Sequence, residues 1–69
     1  MDEFKLGGRE YVELKNLLKL MGAFESGGEA MTAVAGGLVT LDGQVELRKR
    51  CKVRSGQIVE CKGQRIKVI

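Results

Sequence analysis

The chain has 69 residues, of which 43% are hydrophobic and 30% charged, and a formal net charge of +3. That length holds one domain and lets only about 60% of the unfolded surface be buried, which speaks against a deep catalytic cleft, while the apolar share separates the chain from disordered sequences. The charge is split: residues 1–47 carry four cations against eight carboxylates (net −4), and residues 48–69 carry eight cations against Glu60 alone (net +7).

Proline is absent, so ten glycines punctuate the chain. A short extended stretch at Phe4, Lys5 and Leu6 ends at Gly7 and Gly8. From about Glu10 to Met21, Leu14, Leu17, Leu18 and Met21 recur at i, i+3, i+4 and i+7, one face of a helix. Gly22 supplies the left-handed residue that commonly ends such a helix. Ser26, Gly27, Gly28 and Glu29 fit a capping box, in which the Ser26 hydroxyl accepts from the third amide and the Glu29 carboxylate reaches back to the Ser26 amide. The second helix that starts there carries Ala30, Met31, Ala33, Val34 and Ala35, and meets Gly36 and Gly37 at its end.

From Leu38 the period becomes two. Val39 and Leu41 alternate with Leu38 and Thr40, Asp42-Gly43 breaks the run, and Gln44, Val45, Glu46 and Leu47 follow. Asp-Gly between such runs predicts a hairpin with a type I′ turn. Gln57 to Cys61 forms a third extended run after Ser55-Gly56, and Arg65 to Val68 a fourth after Gly63. Helices followed by strands, rather than alternating with them, predict an α+β fold: two short helices packed on a small twisted antiparallel sheet.

Histidine is absent, so no Ser-His-Asp or Cys-His grouping can form, and Cys51 and Cys61 cannot make a zinc site unaided. No close carboxylate pair lies in an apolar setting. The expectation is a protein without enzymatic activity and without cofactor or metal. The start at Met1, Asp2 and Glu3 is acidic where a secretory leader is basic, and no apolar run approaches the roughly 20 residues that span a bilayer. A cytoplasmic protein with free thiols and no membrane association is the expectation.

Arg48, Lys49, Arg50, Cys51, Lys52, Val53 and Arg54 concentrate five cations in seven positions. An extended backbone there sets Arg48, Arg50, Lys52 and Arg54 on one face and turns Lys49 away, a row suited to tracking a phosphate backbone. The alternative is a solvated edge whose charges prevent sheet-to-sheet association. The same alternation points Cys51 toward the core; were it exposed, the flanking cations would lower its pKa. Lys15 and Lys19, one helical turn apart, could extend the basic surface or be ordinary surface lysines. Ser26 could donate to a phosphate at the second helix's N-terminus or serve only as its cap. With Phe4, Tyr11 and Phe24 the sole aromatics, an aromatic platform for base stacking is not expected.

Residues 14 to 61 resemble the S4-like RNA-binding domain, or alpha-L motif. Leu14, Leu18, Met21 and Gly22 stand where the family's first helix ends in a leucine-rich turn and glycine. Ser26, Glu29 and Ala30 match its serine-rich cap. Gly37, Val39, Leu41, Asp42 and Gly43 are similar to its strand and tight turn, and Val53, Gly56, Gln57, Ile58 and Val59 to its closing segment. The match covers about two-thirds of the chain and looks most like the small stand-alone bacterial members of the YbcJ type. The chain departs from the family at Glu13 and Gly27, where arginines are common, and at Lys49, where proline is common; the resemblance then implies that the cationic role has moved to the run from Arg48 to Arg54.

Together these readings predict a single domain, residues 1–69, monomeric, that binds structured RNA such as ribosomal or transfer RNA by shape and phosphate contacts. The expected contacts are Arg48, Lys49, Arg50, Lys52, Arg54, Lys15, Lys19 and Ser26. A ribosomal or RNA-processing protein is a possible further partner. The competing reading is a protein-interaction module that docks its basic stretch on an acidic partner in a ribosome-associated complex. Duplex DNA is disfavoured because neither predicted helix has the basic face of a groove reader.

Overall fold

The computed structural model describes residues 1–48 and 50–69. In chain order the elements are strand β1 (Asp2–Phe4), β2 (Val12–Glu13), helix α1 (Leu14–Leu20), α2 (Gly27–Ala35), then β3 (Val39–Leu41), β4 (Gln44–Val45), β5 (Lys52–Val53), β6 (Ile58–Cys61) and β7 (Gln64–Val68). The main sheet has the order β1-β7-β6-β3-β4, and β2 pairs with β5 in a separate two-stranded ribbon. The two helices pack on the main sheet, as expected for an α+β fold.

Leu14, Leu17 and Leu18 are fully buried and Met21 packs against the core from its edge, so α1 buries the predicted face. Both helices end in the same way. Gly22 N–H donates to Lys19 O and Ala23 N–H to Leu18 O; Gly37 N–H donates to Val34 O and Leu38 N–H to Ala33 O. These paired bonds satisfy the last carbonyls and require a left-handed residue, which Gly22 (φ +78°) and Gly37 (φ +77°) supply without Cβ strain.

The Asp42-Gly43 turn connects β3 to β4 with φ +50° and +84°, the geometry that matches the twist of a two-residue hairpin. Asp42 is held there from outside the hairpin, because its carboxylate accepts from the Ile58 N–H (3.0 Å) and from Gln57 Nε2 (3.4 Å). Lys62 and Gly63 turn β6 into β7 with the same positive φ angles.

Several expectations need correction. The first helix begins at Leu14, not Glu10, because Val12 and Glu13 are taken into β2 by pairing with Val53 and Lys52. The sheet is mixed, not antiparallel: β1 lies parallel to β7, with Asp2 opposite Ile66 and Phe4 opposite Val68. The capping box is displaced. Ser26 Oγ accepts from Glu29 N–H (3.2 Å) as expected, but the Glu29 carboxylate reaches Glu25 N–H (3.2 Å) instead of the Ser26 amide. Finally β4 stops at Val45 and not Leu47; Glu46 still donates its N–H to Val39 O (3.0 Å), and its side chain meets Arg48.

The buried cluster joins Leu14, Leu17, Leu18, Ala30 and Val34 of the helices to Val39, Val59, Cys61, Ile66 and Val68 of the sheet, to Val12 and Val53 of the ribbon, and to Cys51 just before β5. No polar side chain among the described residues is buried within it. The ribbon is therefore anchored by apolar residues on its inner face, which leaves its outer face to charged side chains.

Candidate nucleic-acid interface

The ribbon decides where the basic run stands. Val12 and Val53 oppose each other and point into the core, so the alternate positions Tyr11, Glu13, Lys52 and Arg54 face outward. From 50 to 54 the alternation is strict: Arg50, Lys52 and Arg54 are exposed, while Cys51 and Val53 are buried. Leu14 N–H, at the start of α1, donates to Cys51 O at 2.9 Å and ties the run to the helix.

Arg48 does not continue this row. Cys51 N–H donates to Arg48 O at 3.2 Å, a bond that an extended backbone cannot make, so three cations share the face and Arg48 is set around a turn from them. Lys49 lies outside the described residues.

Carboxylates engage two of these cations. Arg48 Nε and Nη2 donate to Glu46 Oε2 (2.9 Å) and Oε1 (3.1 Å), and the Arg48 backbone N–H donates to Oε2 at 2.9 Å. The side-chain bonds from Arg48, helped by its amide, hold the Glu46 carboxyl at about 2, below its ordinary 4.5. The same bond raises the pKa of Arg48. Arg50 Nε lies 3.4 Å from both oxygens of Glu13. The Arg48 and Arg50 side chains remain 77% and 79% exposed, while the Glu46 and Glu13 side chains they meet are only 13% and 18% exposed.

Lys52 and Arg54 have an aromatic partner instead. Lys52 Nζ stands 5.0 Å, and Arg54 Cζ 5.7 Å, from the centre of the half-buried Tyr11 ring. Beside Tyr11 opens a hollow of about 480 Å³ lined by Arg9, Glu10, Tyr11, Val12, Glu13 and Asn16. A neighbouring hollow of about 390 Å³ is lined by Arg48, Arg50, Cys51 and Lys52.

The other expected contacts are more scattered. Lys15 is half-buried and Lys19 exposed on α1, and among the described residues neither has an ion-pair partner. Ser26 lines a separate, largely apolar hollow of about 780 Å³ together with Phe24, Thr32, Leu38 and Lys62. Cys51 is buried as alternation predicts, and burial pushes its thiol pKa up against the opposing pull of Arg48. Burial likewise raises Cys61. Among the described residues no helix is long and apolar enough to cross a membrane.

The sequence profile of the S4 domain matches residues 4–69. The chain belongs to the S4 domain family. It is 49% identical over 69 residues to YbcJ of Escherichia coli strain K12, covering 100% of this chain and 99% of that protein. YbcJ of Shigella flexneri is similar to the same extent. The solution structure of E. coli YbcJ, described as revealing an αL motif involved in RNA-binding, matches this S4 domain with a TM-score of 0.77 at 49% identity, over 100% of this chain and 87% of that one. The 30S ribosomal protein S4e from Thermoplasma acidophilum matches with a TM-score of 0.62 at 28% identity, over 81% of this chain and 28% of its own.

Within this S4 domain, Tyr11 and Glu13 were not expected beside the cations. Their signal is the alternation Tyr11, Val12, Glu13, polar-apolar-polar like Lys52, Val53, Arg54, which fits two strands that share one buried face.

Proposed function

We propose that this protein binds structured RNA through the outer face of the β2–β5 ribbon, with the phosphate backbone as its main contact. The observation that carries this reading is the row of Arg50, Lys52 and Arg54, exposed on a two-stranded ribbon whose inner face is locked into the core. Cations presented by a rigid strand lose little freedom on binding, and each phosphate they neutralise releases counterions. Membership of the S4 family, and the RNA-binding motif described for E. coli YbcJ, support RNA as the polyanion.

In this reading Arg48 flanks the row and exchanges Glu46 for a phosphate, and Lys49, next to it in sequence, is a further candidate contact. Lys15 and Lys19 extend the basic surface along α1, and the Ser26 hydroxyl, which accepts from Glu29, keeps its proton for donation. Sequence is not read from a deep groove, because the major groove of A-form RNA is too narrow for side chains; shape and backbone are recognised instead. Ribosomal RNA is the first target to test, since S4e, a protein of the 30S subunit, shares the fold, and transfer RNA is the second. Such targets place the protein in the cytoplasm. The chemistry asked of the face is binding alone, with no reaction step.

The test is binding to structured RNA and to matched duplex DNA across a salt series, for the natural protein and for an Arg50→Ala, Lys52→Ala, Arg54→Ala variant shown to be folded. RNA affinity should fall with salt at a slope of about −0.7 to −0.9 per phosphate contact, and the variant should lose about one contact per residue replaced. A variant that binds RNA as the natural chain does, with the same salt slope, would overturn the assignment and favour docking on an acidic protein.

A further inference from the structure

Tyr11 sits among the cations of the ribbon and opens onto a hollow, a combination that phosphate binding alone does not use. Its strand neighbour Val12 is buried opposite Val53, which fixes the Tyr11 backbone on the outer face beside Lys52 and Arg54. The hollow of about 480 Å³ next to it has room for one planar base, and its wall carries hydrogen-bonding groups from Glu10, Glu13 and Asn16. We propose that Tyr11 is the stacking platform for one unpaired nucleobase of the bound RNA, with Lys52 and Arg54 taking the phosphates that flank that nucleotide. This rests on the RNA-binding reading and adds to it a preference for RNA with a loop, bulge or free end.

The physical argument is an exchange. In the free protein Lys52 and Arg54 lie against the Tyr11 ring, a weak contact at an exposed site. A phosphate attracts both cations more strongly than the ring does, and as they turn to it they release the ring to a base. A nucleotide joins base and phosphate through one sugar, so the groups that bind them must be neighbours, as Tyr11 and these two cations are. Scarcity of aromatics rules out a broad platform but not a single stacking site. A base held there leaves its own helix only where it is unpaired, which converts one ring into selection for irregular RNA.

Tyr11 is the single tyrosine and tryptophan is absent, so the tyrosine emission of the whole protein reports on this ring alone. The experiment titrates the protein with a labelled hairpin RNA that carries an unpaired loop and with a fully paired RNA duplex of equal length. Anisotropy of the label is read for binding and tyrosine emission for stacking, and the titrations are repeated with Tyr11→Phe and Tyr11→Leu. The expected result is quenching by the hairpin and little by the duplex, hairpin affinity kept in Tyr11→Phe, and hairpin affinity about tenfold or more weaker in Tyr11→Leu with duplex affinity unchanged. Circular dichroism establishes that both variants are folded. If the hairpin binds but leaves the emission unchanged, or if Tyr11→Leu binds hairpin and duplex as the natural chain does, the stacking role is overturned while RNA binding stands. Equal quenching by the duplex also overturns it, since a paired strand offers no base to stack. Absence of binding to either RNA would overturn both readings together.

Discussion

Leu14 donates its backbone N–H to the carbonyl of Cys51 at 2.9 Å, so the first residue of α1 and the centre of the basic run form one hydrogen-bonded unit. Because Cys51 also turns its thiol into the core, the outer cations inherit their position from buried atoms.

The thiols should therefore be silent in the folded protein. Burial raises the pKa of both Cys51 and Cys61 above the ordinary 9.0, which keeps them protonated near neutral pH. A thiol reagent should modify the denatured chain promptly and the folded chain only as fast as it opens. The sign for stability follows: the contribution of these protonated thiols is complete below pH 9.0 and is lost as pH rises through their elevated folded values. Rapid modification of Cys51 at neutral pH without unfolding would contradict this.

In the proposed complex Glu13 competes with phosphate for Arg50. Replacing it, Glu13→Gln, removes a pair whose long 3.4 Å contact and largely exposed guanidinium leave it screened by solvent, so the melting temperature should hardly move. RNA affinity at low salt should rise about two- to fivefold, because the face loses a negative charge and a guanidinium is freed. Glu13→Arg should tighten binding further. Isothermal titration at two salt concentrations decides; a weaker Glu13→Gln complex would show that the carboxylate organises Arg50 for binding instead.

Glu46 gives the acid limb of the stability profile. Its carboxyl titrates at about 2 in the folded chain, below its ordinary 4.5, so its contribution is complete above pH 4.5 and is lost as pH falls toward about 2. The partner Arg48 is largely exposed, so solvent screens the pair and its contribution is modest. Urea midpoints measured from pH 7 down to pH 2 should fall less steeply for Glu46→Gln than for the natural protein. Parallel profiles would show that the pair adds nothing to stability.

Asp42 serves the fold twice, by adopting φ +50° and by accepting hydrogen bonds from residues 57 and 58. Asp42→Ala should cost about 1 to 3 kcal/mol, since alanine is strained at positive φ and leaves the Ile58 N–H without its acceptor. Asp42→Asn, which tolerates that backbone and keeps an oxygen, should cost clearly less. Denaturant unfolding of the two variants provides the comparison, and equal losses would remove the backbone argument.

What could be read from the sequence was what neighbouring residues decide. The face of α1, the Ser26 cap, the Asp42-Gly43 turn and the β6 and β7 runs each have a local period or a local turn residue, and the structure has them at those places. Pairings between distant segments left a weaker trace. Strand β2 is two residues long, and the short alternation Tyr11, Val12, Glu13 fits a strand without naming its partner, which is Lys52 and Val53 across from it. The same distance hid the partners of the candidate site. Glu13 and Arg50 are 37 positions apart, and only the ribbon brings them together. The residue types of the basic run were visible from the start, but the turn that takes Arg48 out of the row arises from its bond to Cys51 and the pull of Glu46.

Strand β1 places Asp2 beside Ile66, and its neighbour Leu6 donates to Ile69 O while Ile69 donates to Phe4 O. A clasp between such remote stretches rests on one neighbouring strand alone, and closing it costs loop entropy that a hairpin such as β6–β7 largely avoids. It should accordingly be the most easily opened part of the sheet, with its amides exchanging with solvent through local detachment while those of β6 wait for global unfolding. Detachment there would strip the outer edge of β7 while the β2–β5 pairing stays hydrogen-bonded, so breathing of the sheet reaches the proposed RNA face only through the core that Leu6 shares with Val12 and Val53.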